Sequence, residues 1–136
     1  MEHWIIPCNL KYYDVVGAFR KLSRIDWKQS MKNVSIGDIV YVYVGKPIMA
    51  IMYKCRVTKI NLPFVEIDDN EFVIDGTNYE NYGNHMELEL VESYAEDQIT
   101  MDLLSFHGMK GRVQGPRRTG DSVQAFLDSI QGTLAN

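Results

Sequence analysis

The strongest constraint on the fold is the run Ile39-Val40-Tyr41-Val42-Tyr43-Val44, six consecutive β-branched or aromatic residues. This is unbroken strand material. Alternation along it sets Tyr41 and Tyr43 on one face and Val40, Val42 and Val44 on the other. Ile36-Gly37-Asp38 before the run and Gly45-Lys46-Pro47 after it have turn chemistry. Met49 to Ile60 then returns as a longer strand, so the predicted unit is a long hairpin.

Other segments group around it. His3 to Cys8 is short and apolar and stops at Asn9, which reads as a buried first strand. From Asp14 to Leu22, apolar residues recur at helical spacing behind Asp14 as N-cap. Ser23 to Ser35 is polar and basic and reads as a loop carrying Trp27. Residues 61–85 are rich in Asn, Asp and Gly, with Phe64, Phe72, Tyr79 and Tyr82 as aromatic anchors and a short strand at Phe72 to Ile74. Met86 to Glu92 alternates as a half-exposed antiparallel strand. Ile99 to Phe106 and Asp121 to Ile130 are the later helices.

At 136 residues the chain suits one domain spanning 1–136. The pattern predicts an α+β fold, a small mixed β-barrel of four to six mostly hairpin-connected strands with flanking short helices. With 46% hydrophobic and 24% charged residues, there is enough apolar material for a core without disulfides or metal. No stretch approaches the roughly 18 apolar residues of a membrane span, and the N-terminus lacks a targeting pattern. A cytoplasmic protein is expected, with no membrane association, and Cys8 and Cys55 read as buried free thiols.

The net charge of −4 conceals an uneven distribution. Residues 1–63 carry ten Lys/Arg against four Asp/Glu, residues 64–109 none against twelve, and residues 110–136 four against two. Such a chain can present a basic face built from its two ends and an acidic one from its middle.

Catalytic signatures are absent. His3, His85 and His107 do not form a metal-ligand pattern, and the cysteines lack metal spacing, so neither a metal nor a cofactor is expected. Asp68 and Asp69 with Glu66 and Glu71 read as a solvated turn or a cation site. Cys8 and His3 fall on opposite sides of their strand and do not make a thiolate pair.

Binding is better supported. Tyr12, Trp27, Tyr41 and Tyr43 lie in the same stretch as Lys28 and Lys46, and rings that stack on bases beside cations that neutralise phosphate are what a nucleic acid requires. Tyr41, Tyr43 and Tyr53 can equally line the hairpin core. Asn9 offers an amide to a base edge, or simply forms a turn. Gly111-Arg112-Val113-Gln114-Gly115-Pro116-Arg117-Arg118 sets three guanidinium groups on a Gly/Pro-shaped path, a phosphate seat or an exposed turn.

Trp4-Ile5 with Asn9, Lys11-Tyr12-Tyr13-Asp14, Trp27, Gly37-Asp38-Ile39-Val40-Tyr41 with Tyr43 and Gly45, Ala50-Ile51, Val57 and Gln114-Gly115-Pro116 together resemble the EVE domain of the PUA-like superfamily. The resemblance spans nearly the whole chain and is densest over residues 4–60. It implies a small β-barrel that reads nucleic acid, since several EVE domains sit beside nucleases that cut DNA carrying modified cytosine. It implies a base pocket at Asn9, Trp27, Tyr41 and Tyr43. Leu10 stands where the family has proline, and Tyr43 where nuclease-linked members carry tryptophan.

The expected function is therefore a reader module that accepts a flipped or modified base, modified cytosine in DNA being one form, in an aromatic pocket formed by Asn9, Tyr12, Trp27, Tyr41 and Tyr43. Lys28, Lys46, Arg112, Arg117 and Arg118 would meet the backbone, with DNA ahead of RNA as partner and any cutting left to a partner nuclease. The alternatives are a small enzyme acting on nucleic acid or nucleotides, as in the related ASCH group, and a protein interaction domain.

Overall fold

The computed structural model describes residues 1–63 and 84–135. The expected strand at Phe72 to Ile74, the aromatic anchors Phe64, Phe72, Tyr79 and Tyr82, and the acidic group at Glu66 to Glu71 lie outside the described residues.

The elements run β1 (His3–Cys8), α1 (Val15–Lys21), β2 (Arg24–Lys28), β3 (Ile39–Val44), β4 (Ala50–Leu62), β5 (His85–Ser93), α2 (Met101–Phe106), β6 (Arg117–Arg118), α3 (Asp121–Ser129) and β7 (Thr133–Leu134). The strands join one mixed sheet in the order β2-β5-β4-β3-β1-β6, and β7 pairs with β5. The expected hairpin is β3 paired antiparallel with β4. On its other side β3 pairs parallel with β1, Trp4 opposite Val40 and Cys8 opposite Val44.

The sheet is open, which corrects the expected barrel: β2 and β6 end the strand path and do not pair with each other. The physical reason lies in β3, all six residues of which are buried. Its valine face joins a cluster that includes Val15 and Ala18 of α1 and Ile25 of β2. Its other face, Ile39, Tyr41 and Tyr43, packs with Leu104 of α2 and Val123 and Leu127 of α3. Helices cover both faces, so the sheet buries its apolar area without closing on itself.

A second correction concerns Ser23 to Ser35. Within it, Arg24–Lys28 is an edge strand on β5, with Trp27 opposite Met86. Ile25 is buried and Trp27 half-buried, while Arg24 and Lys28 face solvent. Two apolar residues in alternation suffice because β5 supplies the other half of the pairing.

Local chemistry sets the ends of the elements. Asp14 caps α1 by accepting the Gly17 N–H at 3.0 Å, and Thr100 caps α2 by accepting the Leu103 N–H at 3.2 Å. Gly37, at φ +95, makes the turn into β3. The buried Asp38 carboxylate beside it accepts N–H groups from Glu2 at 3.0 Å, Ser35 at 2.9 Å and the Trp4 indole at 3.2 Å. That carboxylate ties the start of β1 to the start of β3. Among the described residues, no helix is long and apolar enough to cross a membrane.

Candidate functional site

The end of β1 organises the site. Beyond Cys8 the chain turns sharply, because the Asn9 carbonyl accepts the N–H groups of Tyr12 at 2.9 Å and Tyr13 at 3.2 Å, while Asn9 Oδ1 accepts the Lys11 N–H at 2.9 Å. The amide acceptor is thus committed to the turn. Among the described residues, the Asn9 Nδ2 donor makes no intramolecular hydrogen bond.

This turn delivers Tyr12 and Tyr13 to Trp27. Tyr13 and Trp27 meet edge to face, centroids 5.3 Å apart and planes at 80°. A depression of about 210 Å³ opens there, lined by Pro7, Cys8, Asn9, Tyr12, Tyr13, Trp27 and Lys28. A second, of about 400 Å³, lies against the same Pro7, Cys8 and Asn9 and is completed by Tyr43, Gly45, Lys46, Val113 and Gln114. The Gly45 N–H donates to the Cys8 carbonyl at 2.9 Å and fixes the shared wall to the turn after β3.

The proposed base-pocket residues are therefore divided. Asn9, Tyr12 and Trp27 line the first depression, and Tyr43 lines the second together with Asn9. Trp27 and Tyr43 do not share one concavity. Tyr41 lines neither. It is 1% exposed, packs among the residues facing α2 and α3, and its hydroxyl accepts the Gln124 Nε2–H at 3.3 Å. Sequence reasoning does not single out Tyr13 or Gln114 as lining residues. The quoted Gln114-Gly115-Pro116 stretch is the one signal that bears on the latter.

The cations divide as well. Lys28 and Lys46 stand at the rims of the two depressions, and the Arg112 charge acts on the Tyr43 hydroxyl. Burial raises the Tyr43 pKa and Arg112 partly offsets this. No ion pair engages Lys28, Lys46 or Arg112 among the described residues. Arg117 instead donates to the Lys110 carbonyl at 2.9 Å, which holds the loop together. Arg118 lies toward the opposite end of β1, paired across to Trp4, with its guanidinium 5.1 Å from the Trp4 ring and 3.6 Å from Glu2.

Three further cations pair with carboxylates across the sheet. Arg24 reaches Glu89 at 2.9 Å and Glu87 at 3.8 Å, Arg56 reaches Glu89 at 3.5 Å, and Lys59 reaches Glu87 at 3.7 Å. Among the described residues, no carboxylate lines either of the two depressions.

The one thiol in the wall is buried and held in its protonated form. Cys8 is 2% exposed, its Sγ–H donates to the Tyr13 carbonyl at 3.7 Å, and burial pushes its pKa up to about 12.

No protein-family model matches the sequence, and no curated protein matches it. Among crystal structures, the chain is similar to ASCH from Zymomonas mobilis, with a TM-score of 0.66 and 9% identity over 98% of this chain and 99% of that one. A single-substitution mutant of that protein gives 0.64 and 9% over 96% and 99%. A protein from Pseudomonas putida gives 0.64 and 14% over 93% and 97%. The fold is thus similar to that of the Zymomonas mobilis ASCH protein. Identities of 9% and 14% establish the fold and nothing finer.

Proposed function

We propose that this domain binds nucleic acid and reads an unpaired or flipped base at the end of β1. The observation that carries this reading is the coincidence of rings with cations that form no ion pair among the described residues. Tyr12 and Trp27 line an apolar depression large enough for one base with Lys28 at its rim, while Lys46 lines the adjoining depression and the Arg112 charge acts on Tyr43 there, in a chain whose net charge is −4. The Asn9 Nδ2 donor suits a ring nitrogen or carbonyl oxygen on the base edge. The similarity in fold to the Zymomonas mobilis ASCH protein and the sequence's resemblance to the EVE domains of the PUA-like superfamily support the same reading, with cytosine and its modified forms in DNA as the bases to try first.

The test is a fluorescence titration with single-stranded DNA and RNA of matched sequence, with plain and modified cytosine, at several salt concentrations. Binding that weakens steeply with salt and is lost in Trp27→Ala is the expected result. Salt-independent binding or a Trp27→Ala variant that binds like wild type would overturn it. Electrophoresis of the same oligonucleotides after incubation addresses the enzymatic alternative, for which intact strands are expected.

A further inference from the structure

We propose that the two depressions work as a pair and take two successive nucleotides of one unpaired strand, with the linking phosphate crossing the end of β1 at Asn9. This rests on the nucleic-acid reading above and narrows its substrate class from a single displaced base to a single strand at least two nucleotides long.

Three observations converge on it. First, the depressions are adjacent by construction, because Pro7, Cys8 and Asn9 form a wall common to both. Second, that wall separates the two sides of the sheet. Trp27 and Tyr13 belong with the valine-face cluster, whereas Tyr43 and Val113 belong with the cluster against α2 and α3. Bases entering both would be splayed apart and unstacked, which a single strand permits and which a duplex could match only by breaking two neighbouring pairs. Third, the volumes differ in the right sense. About 210 Å³ between rings accommodates a base, and about 400 Å³ beside Lys46 accommodates a base with its sugar and phosphate.

The charges agree. Lys28 stands on one side of the wall and Lys46 on the other. A phosphate crossing at Asn9 therefore has a cation on each flank, and among the described residues no carboxylate lines either depression.

The experiment compares deoxycytidine monophosphate, the deoxycytidine dinucleotide and a fully paired duplex containing the same dinucleotide. Each is titrated against wild type and against a Lys46→Ala/Gln114→Ala double variant, whose altered residues are both exposed. A melting curve accompanies each protein. Wild type should bind the dinucleotide about tenfold more tightly than the mononucleotide, and the duplex more weakly than the dinucleotide. The double variant should lose about tenfold for the dinucleotide and less than about threefold for the mononucleotide. Equal affinity for the mononucleotide and dinucleotide, a duplex bound as tightly as the dinucleotide, or equal losses for both ligands in the double variant would overturn the pairing while leaving the nucleic-acid reading intact. No binding by any of the probes would overturn both.

Discussion

The Tyr13 ring stands edge to face with Trp27, centroids 5.3 Å apart, and so a buried side chain from the turn after β1 holds the indole that walls the first depression. Trp27→Ala should therefore have two separable effects. Loss of the half-buried ring and its partner should cost about 2 kcal/mol of stability, seen in chemical denaturation. Loss of stacking should weaken oligonucleotide binding by about 1–3 kcal/mol, seen in titration of the folded variant. Trp27→Phe should recover much of the second.

The arginines should separate by role. Arg112→Ala should lower the salt dependence of binding by about one unit, because its charge acts on Tyr43 and is engaged in no ion pair among the described residues. Arg118→Ala should leave that dependence unchanged, since its guanidinium lies over Trp4 at 5.1 Å. Arg117→Ala should act on the loop it holds, lowering stability by about 1 kcal/mol. Salt titrations and melting curves on the three variants check this assignment.

Asp38 predicts an acid response. Burial opposes its ionisation, but the N–H groups of Glu2 and Ser35 and the Trp4 indole outweigh it and hold the carboxyl below the usual range. A lowered folded-state pKa means stability that is present above about pH 4 and lost as pH falls through the folded value. Wild-type stability should decline there, and Asp38→Asn should start lower at neutral pH and show a shallower decline. Urea denaturation at stepped pH measures both.

The thiols should be silent. Burial raises Cys8 to about 12 and raises Cys55 as well, so iodoacetamide at pH 8 should label neither in the native protein and both after denaturation. Intact-mass spectrometry reads the difference. Native labelling of Cys8 would reopen thiol chemistry at the site.

The elements with a long periodic signal are legible in the sequence: β1, α1, the β3–β4 hairpin, β5 and both later helices fall where alternation or helical spacing places them. β2 is hidden because only Ile25 and Trp27 carry its pattern, and the parallel pairing of β1 with β3 leaves no local trace. The two-residue strands β6 and β7 are too short to show any periodicity. For the site, residue type points to Asn9, Trp27 and Lys46, but not to which of them share a concavity. Tyr41 and Tyr43 are two apart on one strand face, yet only Tyr43, nearer the end of β1, borders a depression. Arg117 and Arg118 look available in the sequence, but their partners are loop carbonyls in one case and Trp4 with Glu2 in the other.

The two-sided burial of β3 has a consequence for how the chain tolerates change in length. A strand with one wet face can slip and lose only one set of contacts, but a one-residue slip here would exchange Val40, Val42 and Val44 for Tyr41 and Tyr43 on both sides at once. Neither cluster would fit the incoming side chains, and the Tyr41–Gln124 hydrogen bond would break as well. No misaligned sheet retains half of its packing, so an inserted or deleted residue within 39–44 has no halfway state in which to be absorbed. Variation in length across relatives of this chain should therefore collect in the turns on either side of β3 and leave the strand itself at a constant six residues.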